Sequence, residues 1–270
     1  MTPFFFGDSA APLLGVLHEP PPAIAKNHGV LLCPPIAQEH IRTHWALRQI
    51  AVSLAKAGYH CLRFDWFGVG DSAGDLRQAT VARWVDDAAL AAQELRDVTG
   101  VRKVSLVGLR LGATIAALAA KRVAPSTLVM WDPVLDGAAY VHALRQLHEE
   151  VASDTMRYWE PTLRRDSGSE LVGFDFGPTL LPEIQALDAS KLVPSAKTKV
   201  RFLCSSPVAG LTAFEEALRS SGHDVAGAHT ALETRWSDRK DIEELLAAAD
   251  AGKSLQSLLG EPTSSEACPA

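Results

Sequence analysis

The apolar residues of this chain repeat with two periods, and the period switches back and forth along its length. Phe4 to Phe6 and Leu13 to Leu17 read as an N-terminal hairpin with its turn near Gly7-Asp8-Ser9. Gly29 to Cys33 is a short apolar strand stopped by Pro34-Pro35. Thr43 to Ala57 reads as a helix, because Leu47, Ile50, Ala51 and Leu54 fall on one face and Gly58 ends it. Tyr59 to Phe64 is the next strand. Thr80 then caps a long helix with Val81, Trp84, Val85, Ala88 and Leu95 on one side, ending at Gly100. Lys103 to Val107 is a strand, the alanine-rich run from Ala113 to Ala120 a helix, and Ser126 to Trp131 a strand that stops at Asp132-Pro133. Apolar strands alternating with helices predict a parallel sheet covered on both faces.

The rhythm breaks between Asp136 and Pro194. That stretch holds an amphipathic helix (Ala139 to Glu150), a polar run (Arg164 to Glu170) and a short hairpin around Leu171-Val172-Gly173-Phe174. It reads as a lid, 136–194, inserted into a core made of 1–135 and 195–260. The alternation resumes with the strand Val200 to Cys204 and the helix Thr212 to Ser220. A last strand is expected within His229 to Trp236, then a helix from Asp238 to Ala249. Residues 261–270 read as a frayed tail. No internal repeat is evident.

Charge and cysteines narrow the class. The net charge is -6 over 270 residues. No basic cluster exceeds pairs such as Lys121-Arg122, which argues against a nucleic-acid partner. The N-terminus lacks the basic region of a signal peptide. No run approaches the roughly 18 apolar residues of a membrane span. Cys33, Cys61, Cys204 and Cys268 show no metal-type spacing. The first three fall in expected strands, where a free thiol acts as a small hydrophobe. A reduced, cytoplasmic setting is the expectation, with no metal and no cofactor.

Two glycines flank a tight turn at Gly108-Leu109-Arg110-Leu111-Gly112, between an apolar strand and an alanine-rich helix. This has the form of a nucleophile elbow, in which the glycines let strand and helix approach while the central residue is held strained. Together with Cys33-Pro34-Pro35-Ile36-Ala37-Gln38-Glu39, Arg63-Phe64-Asp65-Trp66-Phe67-Gly68-Val69-Gly70-Asp71-Ser72 and Trp131-Asp132-Pro133-Val134, it makes the chain resemble the α/β-hydrolase superfamily. Within it, the resemblance is to the serine-aminopeptidase (S33)-like and exosortase-A-associated branch. The resemblance implies a mostly parallel sheet of about eight strands with helices on both faces and an inserted lid. It also implies a serine at the centre of the elbow, where this chain has Arg110. A guanidinium stays protonated and cannot be a nucleophile.

The other positions of a Ser-His-Asp triad also read as empty. The loop after the strand that follows the lid, Ser205 to Gly210, carries no carboxylate. No histidine follows His229, which is expected at or before the start of the last strand. Gly70-Asp71-Ser72-Ala73-Gly74 also fits G-x-S-x-G, but it leads into a loop, so Ser72 reads as a turn residue. The candidate catalytic groups are therefore Arg110, Asp132, His40 and Glu39. The candidate ligand-binding groups are Asp65, Trp66 and the backbone N–H groups of Ile36 and Leu111. Arg110 would be closed by a carboxylate (Asp132, Glu39 or Asp65) or would hold a bound anion. His40 and His44 have a spacing that can bind metal, but no third ligand is evident. Trp45, Trp66, Trp84 and Trp131 read as core or pocket wall, and His142 and His148 as solvent-facing or lid-packing. Three functions are open. One is an enzyme acting on an acyl or carbonyl substrate, free or linked to an acyl-carrier protein or CoA in a biosynthetic pathway, without an acyl-serine. Another is an inactive hydrolase that binds an acyl ligand or a protein. The third is a hydrolase using Cys33 or Ser72. The oligomeric state is not legible.

Overall fold

The structure, a computed structural model, describes residues 1–153, 168–230, 234, 236 and 249–260. The N-terminal hairpin is β1 (Thr2–Phe6) and β2 (Leu13–His18), paired with Thr2 opposite Leu17. The core then alternates as expected: β3 (His28–Cys33), α1 (Ala37–Lys56), β4 (His60–Phe64), α2 (Val81–Thr99), β5 (Lys103–Leu109), α3 (Leu111–Val123) and β6 (Thr127–Trp131). Between β6 and the next core strand lie α4 (Gly137–Ala152), the hairpin β7 (Glu170–Leu171) with β8 (Phe174–Asp175), and α5 (Gly177–Gln185). The core closes with β9 (Lys199–Cys204), α6 (Leu211–Ser220), β10 (Asp224–His229) and α7 (Ala249–Leu259).

Eight strands form one sheet in the order β1-β2-β4-β3-β5-β6-β9-β10. Strands β4 to β10 of that sheet pair in parallel, and only the β1–β2 and β2–β4 pairings are antiparallel. Alternate residues of each strand supply two separate cores. Val30, Leu32, Val107 and Val129 pack under Leu47, Ile50 and Leu54 of α1 and Leu255 of α7. Leu31, Leu62, Leu106 and Leu128 pack under Trp84 and Leu95 of α2 and Ile115 of α3. Each such side chain, fully buried, is worth about 1.5–3 kcal/mol. In a sheet wound this way, ligands bind beyond the carboxyl ends of the strands.

Several boundaries differ from the sequence reading. Helix α1 starts at Ala37 rather than Thr43. Its first turns carry Glu39, Arg42 and Thr43 on the buried side, so polar residues hide the apolar period there. Glu39 and His40 are thus helical, not loop residues. Strand β10 ends at His229 rather than beginning there. Its Ala226-Gly227-Ala228 centre has no β-branched or aromatic signal to announce a strand. Helix α5 was hidden by Pro182 in its interior, and α7 lies beyond the expected last helix, most of which falls outside the described residues. Cys204 is disulfide-bonded rather than free, whereas Cys33 and Cys61 are free and buried. Trp45, expected as core or wall, is 47% exposed, with Arg48 stacked over it.

Candidate functional site

Arg110 stands at the junction of β5 and α3 with φ 55 and ψ -125. A non-glycine residue in that region is strained by about 1–3 kcal/mol. The two glycines make the turn possible by close approach. A Cβ on Gly108 would lie 2.3 Å from the Cα of Ala113, and one on Gly112 would lie 2.2 Å from the carbonyl oxygen of Pro34. Two further non-glycine residues at positive φ flank the same sheet edge: Ala37 (φ 52) at the start of α1 and Asp132 (φ 42) after β6. Strain of this kind gathers where a fold holds side chains for a purpose beyond packing.

The guanidinium does not point to water. Its Nε donates to Glu39 Oε1 at 2.9 Å, and one terminal nitrogen donates to the backbone oxygen of Asp132 at 3.2 Å. Tyr140 of α4 donates its hydroxyl to Glu39 Oε2 at 3.3 Å. The aromatic faces of Trp236 and Tyr140 lie 5.3 and 5.7 Å from the guanidinium carbon, within range of a cation–π attraction. Burial pushes the Glu39 carboxyl above its ordinary range, and the Arg110 charge beside it pulls back only part of that rise. Burial also works against the charge on Arg110, but Glu39 outweighs it and holds the guanidinium protonated. Burial, then Glu39, drives the Tyr140 hydroxyl well above its usual value.

Asp132 is fully buried and forms a second network beside the first. One carboxylate oxygen accepts from the Ser205 N–H at 2.8 Å. The other accepts from the Ser205 hydroxyl and from Trp236 Nε1, the latter at 2.8 Å. An indole N–H therefore occupies the carboxylate, and an indole can donate but never take up a proton. Between these groups and α4 lies a cavity of about 20 Å³, walled by Arg110, Glu39, Arg42 and Trp236 on one side and by Ala143, Leu144 and Leu147 on the other. That volume holds about one water.

Residues 37–219 match the family described as serine aminopeptidase, S33. The chain belongs to that family. Solved structures agree on the fold. An esterase from Pyrococcus furiosus, Pf2001, superposes with a TM-score of 0.62 at 13% identity, over 96% of this chain and 88% of that one. Est1E from Butyrivibrio proteoclasticus, solved with ferulic acid bound, gives 0.60 at 15% identity over 94% and 97%. XC6422 from Xanthomonas campestris, described as a serine hydrolase without a lid, gives 0.52 at 16% identity over 84% and 82%. No curated protein matches the chain. Among the described residues no helix is long and apolar enough to cross a membrane.

In this S33-family chain the predicted site residues divide between two places. Arg110, Glu39 and Asp132 come together as expected, with Glu39 as the ionic partner and Asp132 contributing its backbone. His40 and Asp65 do not join them. They line a separate cavity near β2 and β4, with His40 Nε2 3.8 Å from Asp65 Oδ1. Glu39 and His40, neighbours in sequence, thus line different cavities. Nor does Asp65 pair with Arg110, which rises between α1, Tyr140 and Trp236 instead. Trp66 is core: it is fully buried, donates to the Pro34 carbonyl at 2.9 Å and packs edge-on against Phe64.

Ile36 and Leu111 are buried beside the elbow, and neither N–H has a hydrogen-bond acceptor among the described residues. Ser72 is a turn residue, donating to the Asp65 carbonyl at 2.6 Å and accepting from Leu14 N–H at 2.9 Å. Burial drives the Cys33 thiol far above its usual value. His148 accepts from the Val172 N–H at 2.9 Å, tying α4 to the small hairpin, and His142 is exposed. Among the described residues no three His, Cys, Asp or Glu could share a metal ion. The sequence reading missed Tyr140, Trp236 and Arg42. Only the position of Trp236, beyond the last strand, could have flagged one of them.

Proposed function

We propose that this S33-family protein binds an acyl or carbonyl ligand at Arg110 and does not hydrolyse it through a serine. The observation that carries the reading is the Arg110 guanidinium. It is fixed on two sides by Glu39 and the Asp132 carbonyl, it has one terminal nitrogen without a hydrogen bond among the described residues, and it lines a cavity with an apolar far wall. Such a group suits a carboxylate or a carbonyl oxygen, and the Ala143, Leu144 and Leu147 wall suits the hydrocarbon attached to it. The vacancies support the negative half. Arg110 stands where the resemblance expects serine, Trp236 occupies the Asp132 carboxylate, and no imidazole lies among the cavity walls. The cavity as it stands admits about one water, so the ligand enters by displacing the α4 wall, which gives the 136–194 insertion the role of a lid.

The test is calorimetric titration of the protein with octanoate and with octanoyl-CoA. Saturable binding of at least one is expected, weakened tenfold or more by Arg110→Ala with the circular dichroism unchanged. No binding of either by the wild type would overturn the reading. One observation favours a second reading. The buried Glu39, with its carboxyl held high and Tyr140 beside it, is placed to move a proton next to an anion site. Under that reading the protein catalyses deuterium uptake from solvent at the α-carbon of octanoyl-CoA, and Glu39→Gln abolishes it. No uptake by the wild type leaves the site as a binding site alone.

A further inference from the structure

The cavity that takes His40 and Asp65 away from the elbow is a site in its own right. Its volume is about 60 Å³, three times that beside Arg110. Its floor is apolar, built by Leu14, Leu32, Leu47 and Phe64. Arg63, Asp65 and Asp71 carry charge on its walls. Arg63 sits in β4 opposite Val16 of β2 and Leu32 of β3, on the face toward α1. Its Nε donates to His18 Nε2 at 3.3 Å. Burial, then the Arg63 charge, holds His18 down to about 4, so this partner is neutral at physiological pH. No carboxylate forms an ion pair with Arg63 among the described residues.

Asp65 follows two residues later on the same side of the chain. Its Oδ2 accepts from the Asp71 N–H at 3.1 Å, and its Oδ1 lies 3.8 Å from His40 Nε2. A Cβ on Gly70 would lie 2.2 Å from that Oδ2, so the turn clasps the carboxylate in place. His40 Nδ1 is buried without a hydrogen bond of good geometry. A partly buried guanidinium with no carboxylate bonded to it is costly unless something meets its charge.

The lining selects the ligand. His18 stands opposite Cys61, on the far side of Arg63 from Asp65, and holds the guanidinium by its Nε. A ligand with a few methylenes between its two charges can lay them on the apolar floor. We propose that this cavity binds a short ω-amino acid, its ammonium between Asp65 and His40, its carboxylate on Arg63 and its methylenes on the apolar floor.

The experiment is titration of the full chain with 4-aminobutyrate, followed by the ring-proton NMR signals of His40 and His44, beside butyrate and n-butylammonium. The expected result is a saturable shift with 4-aminobutyrate, at concentrations at least tenfold below those needed by either single-charge analogue. Equal binding of butyrate or of n-butylammonium, or no saturable shift with any probe, overturns the proposal. Asp65→Asn and Arg63→Met should each weaken binding tenfold or more. Because Asp65 also holds its own turn, the wild-type comparison of the three probes stands without it. Unchanged affinity in both variants overturns the proposal. Arg110→Ala should keep the affinity. Its loss there would move the ligand to the elbow and overturn the assignment, independently of how octanoate behaves.

Discussion

Arg110 is stable in its place because Glu39 is there. The pair is largely buried, with side-chain exposures of 15% and 8%. Removing one partner of such a pair leaves an uncompensated charge, at a cost of about 3–5 kcal/mol. Glu39→Ala should lower the unfolding free energy by about that amount in a urea titration, with the hydroxyl of Tyr140 also losing its acceptor. Glu39→Gln keeps one acceptor oxygen and should cost less. His18 sets a second expectation at this scale. Its folded value of about 4 lies below the ordinary 6.5, so between those values the unfolded chain binds a proton that the folded chain does not. Stability therefore rises with pH across that window and is lost as pH falls through it. His18→Gln should flatten the pH dependence of the unfolding midpoint between pH 4 and 6.5. An unchanged slope would show that other groups carry it.

Among the elements, the β5–α3 turn is the most demanding. The backbone of Gly112 in α3 nearly touches the Cys33 and Pro34 carbonyls at the end of β3. Gly112→Ala must push these main chains apart, and overpacking of this kind costs about 1–3 kcal/mol. The expected outcome is a folded but less stable protein by thermal melting, with Arg110 displaced from Glu39. An unchanged melting temperature would mean that the turn is looser than its geometry. The same turn shows what local pattern can reveal. Gly108, Gly112 and the alanine run announced it, because glycines at a close approach leave a mark in the sequence. The start of α1 left none, since Glu39, Arg42 and Thr43 are buried there and erase the apolar period. β10 went unread for the opposite reason: Ala226-Gly227-Ala228 carries no strand signal, and only pairing with β9 defines it.

For the molecule as a whole, the fold was legible and the site was legible in part. Sheet, crossovers and insertion follow from alternation and turn residues, which are local. The partnership of Arg110 with Glu39 joins residues 71 positions apart, and the sequence offered three carboxylates for it. Trp236 on Asp132 joins residues 104 apart, and nothing in the spacing of an indole and a carboxylate announces a bond. The separation of His40 from Glu39, adjacent in sequence, depends on which sides of α1 they face. A helix start placed six residues too late could not show that. The outcome is a member of the S33 serine aminopeptidase family with a guanidinium at the β5–α3 turn and an indole bonded to Asp132. Arg110→Ser alone should accordingly give no turnover of a p-nitrophenyl ester, because no imidazole among the described residues reaches the new hydroxyl.

The most direct measurement of this account is the intact mass of the native wild-type protein after exposure to a fluorophosphonate. Such a reagent phosphonylates an activated serine one-for-one. With Arg110 at the elbow and Ser72 bound up in its turn, the protein is predicted to keep its unmodified mass. A stoichiometric adduct on any serine of the folded protein would contradict the account.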